Sequence, residues 1–396
     1  MREDDRKLDY CLKCTDCNSA CPVMRVLPNF PGPKALGPDL ERIRKEGIAC
    51  DTSWLEYCML CNHCEIICPN QVNPVEMIAR AKMKQPKRGR AGFRDRLLAG
   101  PDLLGRLCSV APWFSNFVLR SKPNRWLMSK ALKIGTGRKF PEYRWQGMSI
   151  KRNGTSPHKI IFFPGCFIRY NDPHLMQTVI DVLQLHGSVE IASTTCCGIP
   201  ALANGVRSEL LRALSTNVER LLPAVQDGAR IVVACTSCSY MLKAEYPRLL
   251  SDDPHLGTMA QIIAENTYDL GEFLLEIVEA PVAKPKPVKV RLAYHAPCHL
   301  KGQGIGRPWL QLLRSIPQVE VRDLGAECCG MAGTFGFKEE KYRLSMDIGE
   351  DLFSAIRAYN PDCAVSECGT CRMQIEHGTS VAALHPVEIL HRALAQ

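Results

Sequence analysis

The apolar positions along the chain fall into runs of two periods, and their alternation outlines a fold. Residues 159–163 (Lys-Ile-Ile-Phe-Phe), 188–192 and 229–234 are short runs bounded by polar residues, glycine or proline. Apolar runs this short read as strands of a sheet covered on both faces. Between them, residues 173–185 and 208–222 place apolar side chains three and four positions apart, which predicts amphipathic helices. Strands alternating with helices in this way predict a parallel α/β sheet. The plan then recurs: 288–294, 319–323 and 363–366 read as strands, and 338–357 as a helix. A proline-rich stretch at 280–287 separates the two copies and predicts a domain boundary.

The N-terminal part has no such runs. Residues 30–38, with three prolines and two glycines, read as an extended loop, followed by helices over 39–45 and 73–84. Residues 85–152 read as short amphipathic helices broken at Pro101, Pro112 and Pro123. The expected fold class is α/β: two repeated Rossmann-like domains behind an N-terminal ferredoxin-like unit that is all-α or irregular. The expected boundaries are 1–84, a connector over 85–155, and repeats over 156–280 and 288–396.

Charge changes the picture in one place. The chain of 396 residues carries +9, yet residues 80–152 alone hold 19 Lys or Arg against Asp95, Asp102 and Glu142, so the rest is net negative. Within that segment Lys87, Arg88 and Arg90 precede Phe93, and Trp113, Phe114, Phe117 and Trp126 follow. Cationic faces beside aromatic residues suit an anionic lipid surface, while the competing expectation is a solvated face packed on the other domains or a partner subunit. No nucleic-acid recognition motif accompanies the charge, so no nucleic acid is expected. No run of about 18 apolar residues is present, so any membrane contact is expected to be peripheral.

Cysteine decides the chemistry. The chain has 21 of them, and the charged N-terminus, Met-Arg-Glu-Asp-Asp-Arg-Lys, lacks the apolar segment of an export signal. A reducing compartment and metal ligation are therefore expected rather than disulfides. Cys11, Cys14, Cys17 and Cys21 are spaced x2, x2, x3 and closed by Pro22; Cys58, Cys61, Cys64 and Cys68 repeat the spacing and end on Pro69. This is the bacterial ferredoxin arrangement for cubane [4Fe–4S] clusters, in which the fourth cysteine of each run ligates the other cluster. One cluster is then expected on Cys11, Cys14, Cys17 and Cys68, the other on Cys58, Cys61, Cys64 and Cys21. Structural zinc is the alternative. Cys50 reads as a buried or incidental thiol, and His63 as a surface side chain.

In the α/β repeats, Cys196-Cys197-Gly198 recurs 132 residues later as Cys328-Cys329-Gly330. Cys166 and Cys298 each lie 30 residues before the doublets, and Cys235/Cys238 and Cys368/Cys371 follow them. Each set falls just past strand ends, where open α/β sheets bind their ligands. Adjacent thiolates cannot comfortably take two corners of one tetrahedral metal, but they can serve different irons or bridge them. Each cup of five is thus expected to hold a noncubane iron–sulfur cluster, with zinc or a vicinal disulfide as alternatives. His295 and His299 read as residues surrounding the second centre rather than ligating it, and Cys108 and Cys363 have no counterpart.

These motifs, with Phe30-Pro-Gly-Pro-Lys34, Cys196-Cys-Gly-Ile-Pro200 and Cys329-Gly-Met-Ala-Gly-Thr-Phe-Gly-Phe-Lys338, resemble the cysteine-rich iron–sulfur family. That family is shared by subunits of heterodisulfide reductase, glycolate oxidase and, most closely here, anaerobic glycerol-3-phosphate dehydrogenase. The resemblance implies an electron-transfer subunit of anaerobic glycerol metabolism that takes electrons from a flavin dehydrogenase partner and passes them to membrane quinone. It also implies a peripheral position on the cytoplasmic face of the inner membrane. Substrate oxidation is not expected in this chain, which has no Gly-x-Gly-x-x-Gly after a strand. A disulfide reductase, or the iron–sulfur subunit of a glycolate or lactate oxidase, is the alternative.

Overall fold

The computed structural model describes Leu8 and residues 10–85, 89–145, 159–277 and 284–395. Lys87, Arg88 and part of the 280–287 linker lie outside these. Two four-stranded sheets are present, in the order β2-β1-β3-β4 and β6-β5-β7-β8, all parallel. The first uses β1 (Lys159–Phe163), β2 (Ser188–Ile191), β3 (Arg230–Val233) and β4 (Thr267–Asp269). The second uses β5 (Val290–Tyr294), β6 (Val319–Asp323), β7 (Cys363–Val365) and β8 (Ala383–Leu384). The repeated sequence therefore builds the same topology twice. In each copy the first strand lies between the second and third, and this reversal of strand order opens a crevice at the carboxyl ends.

The apolar runs become central strands because both faces are covered. Ile160, Phe162, Phe163, Ile231, Val232 and Val233 are all buried, flanked by the helices Pro173–Gln184 and Arg207–Gln226. Strands β4 and β8, of three and two residues, are too short to stand out in the sequence. The helix expected from 338 begins instead at Tyr342 and runs to Tyr359, because Lys338 has extended backbone and residues 339–341 form a 3-10 turn.

The N-terminal unit is helical and irregular, without strands among its described residues. The expected extended loop at 30–38 is corrected: Gly32–Lys34 is helical and Ala35–Asp39 forms a wider π-helical turn containing Pro38. Phe30, Leu36, Gly37 and Pro38 are buried in it, so packing overrides the local preference of proline. In the connector, the helices Pro101–Val110, Pro112–Arg120 and Lys122–Leu132 each carry proline in the first turn, where its missing N–H is no loss.

The units share their cores. Val23, Leu55 and Ile78 of the N-terminal unit pack in one cluster with Ile231, Leu242 and Tyr246 of the first repeat. Phe162 and Val232 pack in another with Tyr294, Trp309 and Val387 of the second. A Cβ on Gly271 would meet the Trp309 ring at 2.6 Å, so that glycine sets how closely the repeats approach. A seam of charge, buried except at Glu340, fixes the connector: Arg94 binds Glu340 at 2.9 Å, and Asp95 binds Lys338 at 2.9 Å.

Candidate metal centres

The N-terminal loops are bent alike. Lys13 and Thr15 in the first motif, and Leu60 and Asn62 in the second, have φ of 59°, 71°, 53° and 63°. Left-handed backbone costs a non-glycine residue roughly 1–2 kcal/mol, and its recurrence at equivalent positions marks a constraint. Here it turns successive thiols inward. One small cavity is lined by Cys11, Cys14, Cys17 and Cys68, and a second by Cys21, Cys58, Cys61 and Cys64. The fourth cysteine of each run thus sits with the other run's three. Burial pushes the Cys17 thiol up to about 11, and Cys11, Cys14 and Cys68 push it further. His63 is buried, correcting the expected surface position: the helix Cys298–Gln303 packs over its own helix, His63–Ile66. Burial and then Lys301 hold its imidazole down to about 4.

In the repeats the ten cysteines converge from both sheets. Cys166 and Cys235 follow β1 and β3; Cys298 and Cys368 follow β5 and β7. Cys196 Sγ lies 3.6 Å from Cys166 Sγ, and Cys329 Sγ lies 3.2 Å from Cys371 Sγ. Within the first cup Cys197 contacts both Cys196 and Cys238; within the second, Cys298 contacts Cys328. Cys235 and Cys368 touch across the repeats. The doublet glycines have φ of +95° at Gly198 and +83° at Gly330, and a Cβ on Gly330 would sit 2.0 Å from the Ser345 carbonyl. The Gly330 N–H reaches Cys328 Sγ at 3.3 Å.

Polar side chains that sequence reasoning missed hold these loops. Asn217 Nδ2 donates to the Cys196 carbonyl at 3.0 Å, and the Tyr246 hydroxyl donates to the Cys197 carbonyl at 3.1 Å. Arg138 Nη2 donates to Ser345 Oγ at 3.1 Å, and Ser345 Oγ donates to the Gly330 carbonyl at 2.7 Å. Asn217 has a signal in the sequence, because it is a polar residue on the apolar stripe of its helix. His299, expected as a neighbour of the centre, has a further part: its Nδ1 lies 2.8 Å from Ser237 Oγ and its Nε2 3.1 Å from the Leu60 carbonyl, joining three units. His295 is buried with neither ring nitrogen hydrogen-bonded among the described residues, and its ring reaches Cys329 and Cys371, the three donor atoms lying within 4.8 Å of one another. Cys363 is a buried residue of β7, and Cys108 lines the central cavity.

The donor set fits iron–sulfur centres. Burial pushes the Cys61 and Cys64 thiols well up, and neighbouring thiols add to it. A bound cationic centre supplies the positive charge that lets such thiols ionise. Both cups open on one cavity of about 330 Å³, walled also by Cys61 and by Leu97, Leu104, Leu119 and Met128 of the connector. The connector's opposite face carries Leu103, Leu107, Val110, Trp113, Phe117 and Trp126, each at least 60% exposed. Among the described residues, no helix is long and apolar enough to cross a membrane.

Residues 160–243 and 292–376 each match the family described as cysteine-rich domain, and residues 7–72 match the 4Fe-4S dicluster domain. The chain is 38% identical to a subunit of the anaerobic glycerol-3-phosphate dehydrogenase of Escherichia coli K12, over 99% of this chain and 100% of that one. It is 27% identical to a subunit of the fumarate reductase (CoM/CoB) of Methanothermobacter marburgensis, over 98% of this chain and 72% of that one. Lactate utilization protein A of Bacillus pumilus is 31% identical over 46% of this chain and 75% of its own length. The thiol geometry, the two matched domain types and the full-length identity agree that the chain belongs to the iron–sulfur protein family that includes this anaerobic glycerol-3-phosphate dehydrogenase subunit.

Proposed function

We propose that this chain is the iron–sulfur electron-transfer subunit of a glycerol-3-phosphate dehydrogenase complex, relaying electrons from a flavin-containing partner to membrane quinone. The observation that carries the reading is the run of thiols from Cys11 to the cavity between the repeats. Cys11, Cys14, Cys17 and Cys68 would hold one cubane, and Cys58, Cys61, Cys64 and Cys21 the other. Cys166, Cys196, Cys197, Cys235 and Cys238 would hold a third centre, and Cys298, Cys328, Cys329, Cys368 and Cys371 a fourth. When bound, such clusters supply one-electron redox chemistry. The thiolates, with the Gly330 N–H, fix and tune them. A quinone takes two electrons and two protons, and two cups on one apolar cavity can serve such an acceptor.

The connector supports membrane contact. In the helix Pro101–Val110, Leu104 and Cys108 face the cavity while Leu103, Leu107 and Val110 face outward. A helix apolar on both sides is suited to lie between a packed interior and lipid. Arg106 and Arg120 stand exposed beside that outer face, where anionic headgroups would meet them. The competing expectation, packing on other domains, accounts for the inner residues Arg94 and Arg138.

The test is to reduce the anaerobic full-length protein and add a short-chain quinone, or a small disulfide in parallel. Stoichiometric reoxidation by quinone and none by disulfide is expected. Reoxidation by the disulfide alone would make the chain a disulfide reductase.

A further inference from the structure

The two cups are not copies of one another at one position. Three residues before Cys166 stands Phe163; three residues before Cys298 stands His295. The offset is that of the doublets, so the two residues occupy equivalent places at the ends of β1 and β5. Phe163 is a core side chain with no exposure. His295 is 1% exposed, and neither of its ring nitrogens has a hydrogen-bond partner among the described residues. Leaving a buried polar group unsatisfied costs about 1–3 kcal/mol, and such groups call for an explanation.

The surroundings supply one. The backbone N–H of His295 donates to the Val365 carbonyl at 3.0 Å, which ties the residue to the end of β7. Its ring is thereby held against the second cup, with a nitrogen, Cys329 Sγ and Cys371 Sγ mutually within 4.8 Å. Ligands of one tetrahedral iron or zinc lie about 2.0–2.3 Å from the metal, so donors this close need only small movements to share an ion. His299, the other histidine beside Cys298, has both nitrogens engaged elsewhere.

We propose that His295 is a nitrogen ligand to an iron of the centre in the second repeat, giving it mixed imidazole–thiolate ligation while the first repeat's centre is held by thiolates alone. This rests on the reading that the second cup holds an iron–sulfur cluster. Exchanging thiolate for neutral imidazole raises the potential of an iron–sulfur centre. With His295 in the place of one thiolate on that iron, the second repeat's centre is the more readily reduced of the two, a difference that the matching cysteines alone would not produce.

The experiment uses the anaerobic full-length chain with 15N confined to histidine, read by pulsed EPR on the signals of the cups. The expected result is a strongly coupled nitrogen whose pattern changes with the histidine label. It persists in His299→Phe and is lost in His295→Phe, which copies the first repeat and retains the iron. His295→Cys is expected to lower the midpoint potential of that centre. If His295→Phe loses the cluster, the label comparison in the wild type and in His299→Phe still decides. A spectrum insensitive to the label, or a coupling that survives His295→Phe, overturns the proposal while leaving the relay intact. Zinc or no metal in the second cup overturns both, and metal analysis of the same sample shows which has occurred.

Discussion

Cys61 of the second ferredoxin motif and Cys328 of the second doublet border the same cavity, and after burial itself the Cys328 charge is what most raises the Cys61 thiol. Cys368 in turn contacts Cys235 of the first repeat. On these contacts electrons are expected to pass from the N-terminal unit to the second repeat and then to the first. In rapid-freeze EPR after mixing with reductant at the N-terminal clusters, the second repeat's centre should be reduced before the first's. Cys328→Ser should slow reduction of both by at least about 10-fold, a barrier change of about 1.4 kcal/mol. Cys196→Ser should affect only the first. The reverse pattern would reverse the order.

The proposed crossed ligation assigns Cys21 to the second motif, with whose cysteines it lines one cavity. Cys21→Ala should remove about four iron atoms and abolish the signal of the cluster on Cys58, Cys61 and Cys64. The cluster on Cys11, Cys14, Cys17 and Cys68 should remain. Loss of the first-motif cluster instead would mean that each run serves its own site.

Membrane contact predicts that Trp113→Glu with Phe117→Glu abolishes flotation with vesicles containing anionic lipid while iron content is unchanged. Each side chain buries apolar area worth about 1.5–3 kcal/mol, or roughly 10-fold or more in partitioning. Added salt should weaken binding of the wild type, because about 1 kcal/mol per basic residue is electrostatic. Equal flotation of variant and wild type would assign this face to another subunit.

His385 ties the repeats together as a neutral imidazole: Nδ1 accepts from the Val387 N–H at 3.1 Å, and Nε2 donates to the Ala234 carbonyl at 2.9 Å. Burial, then Arg372, holds it down to about 3 against an ordinary 6.5. The unfolded chain therefore takes up the proton first, so stability falls as pH drops below 6.5. By pH 5 the loss is about 2 kcal/mol. His385→Gln keeps a donor but cannot titrate, so its thermal unfolding should fall less over the same range. A parallel fall would remove His385 from the acid response.

What the sequence shows most clearly is whatever local pattern dictates. The strand at 159–163 forms where its apolar run places it, because both of its faces are covered, and the strand at 319–323 forms where valine alternates with polar residues, its Glu320 and Arg322 facing out at the sheet edge. The thiol spacings are legible because a cube of fixed size demands them. Less legible is whatever depends on distant packing. The segment 30–38 turns helical because Phe30 and Leu36 find a core there, and β8 exists only because β7 offers it an edge. His63 reads as a surface residue because the helix that covers it lies more than 230 positions away. The two-sided connector is readable as basic and amphipathic, but its inner wall needs the cavity to be seen.

Iron and acid-labile sulfide, counted per chain in the full-length protein purified without oxygen, test the central claim most directly. Four centres predict about sixteen iron atoms, four to each cluster. A count of about eight, with zinc or nothing in the cups, would end the relay at the N-terminal unit and contradict the account.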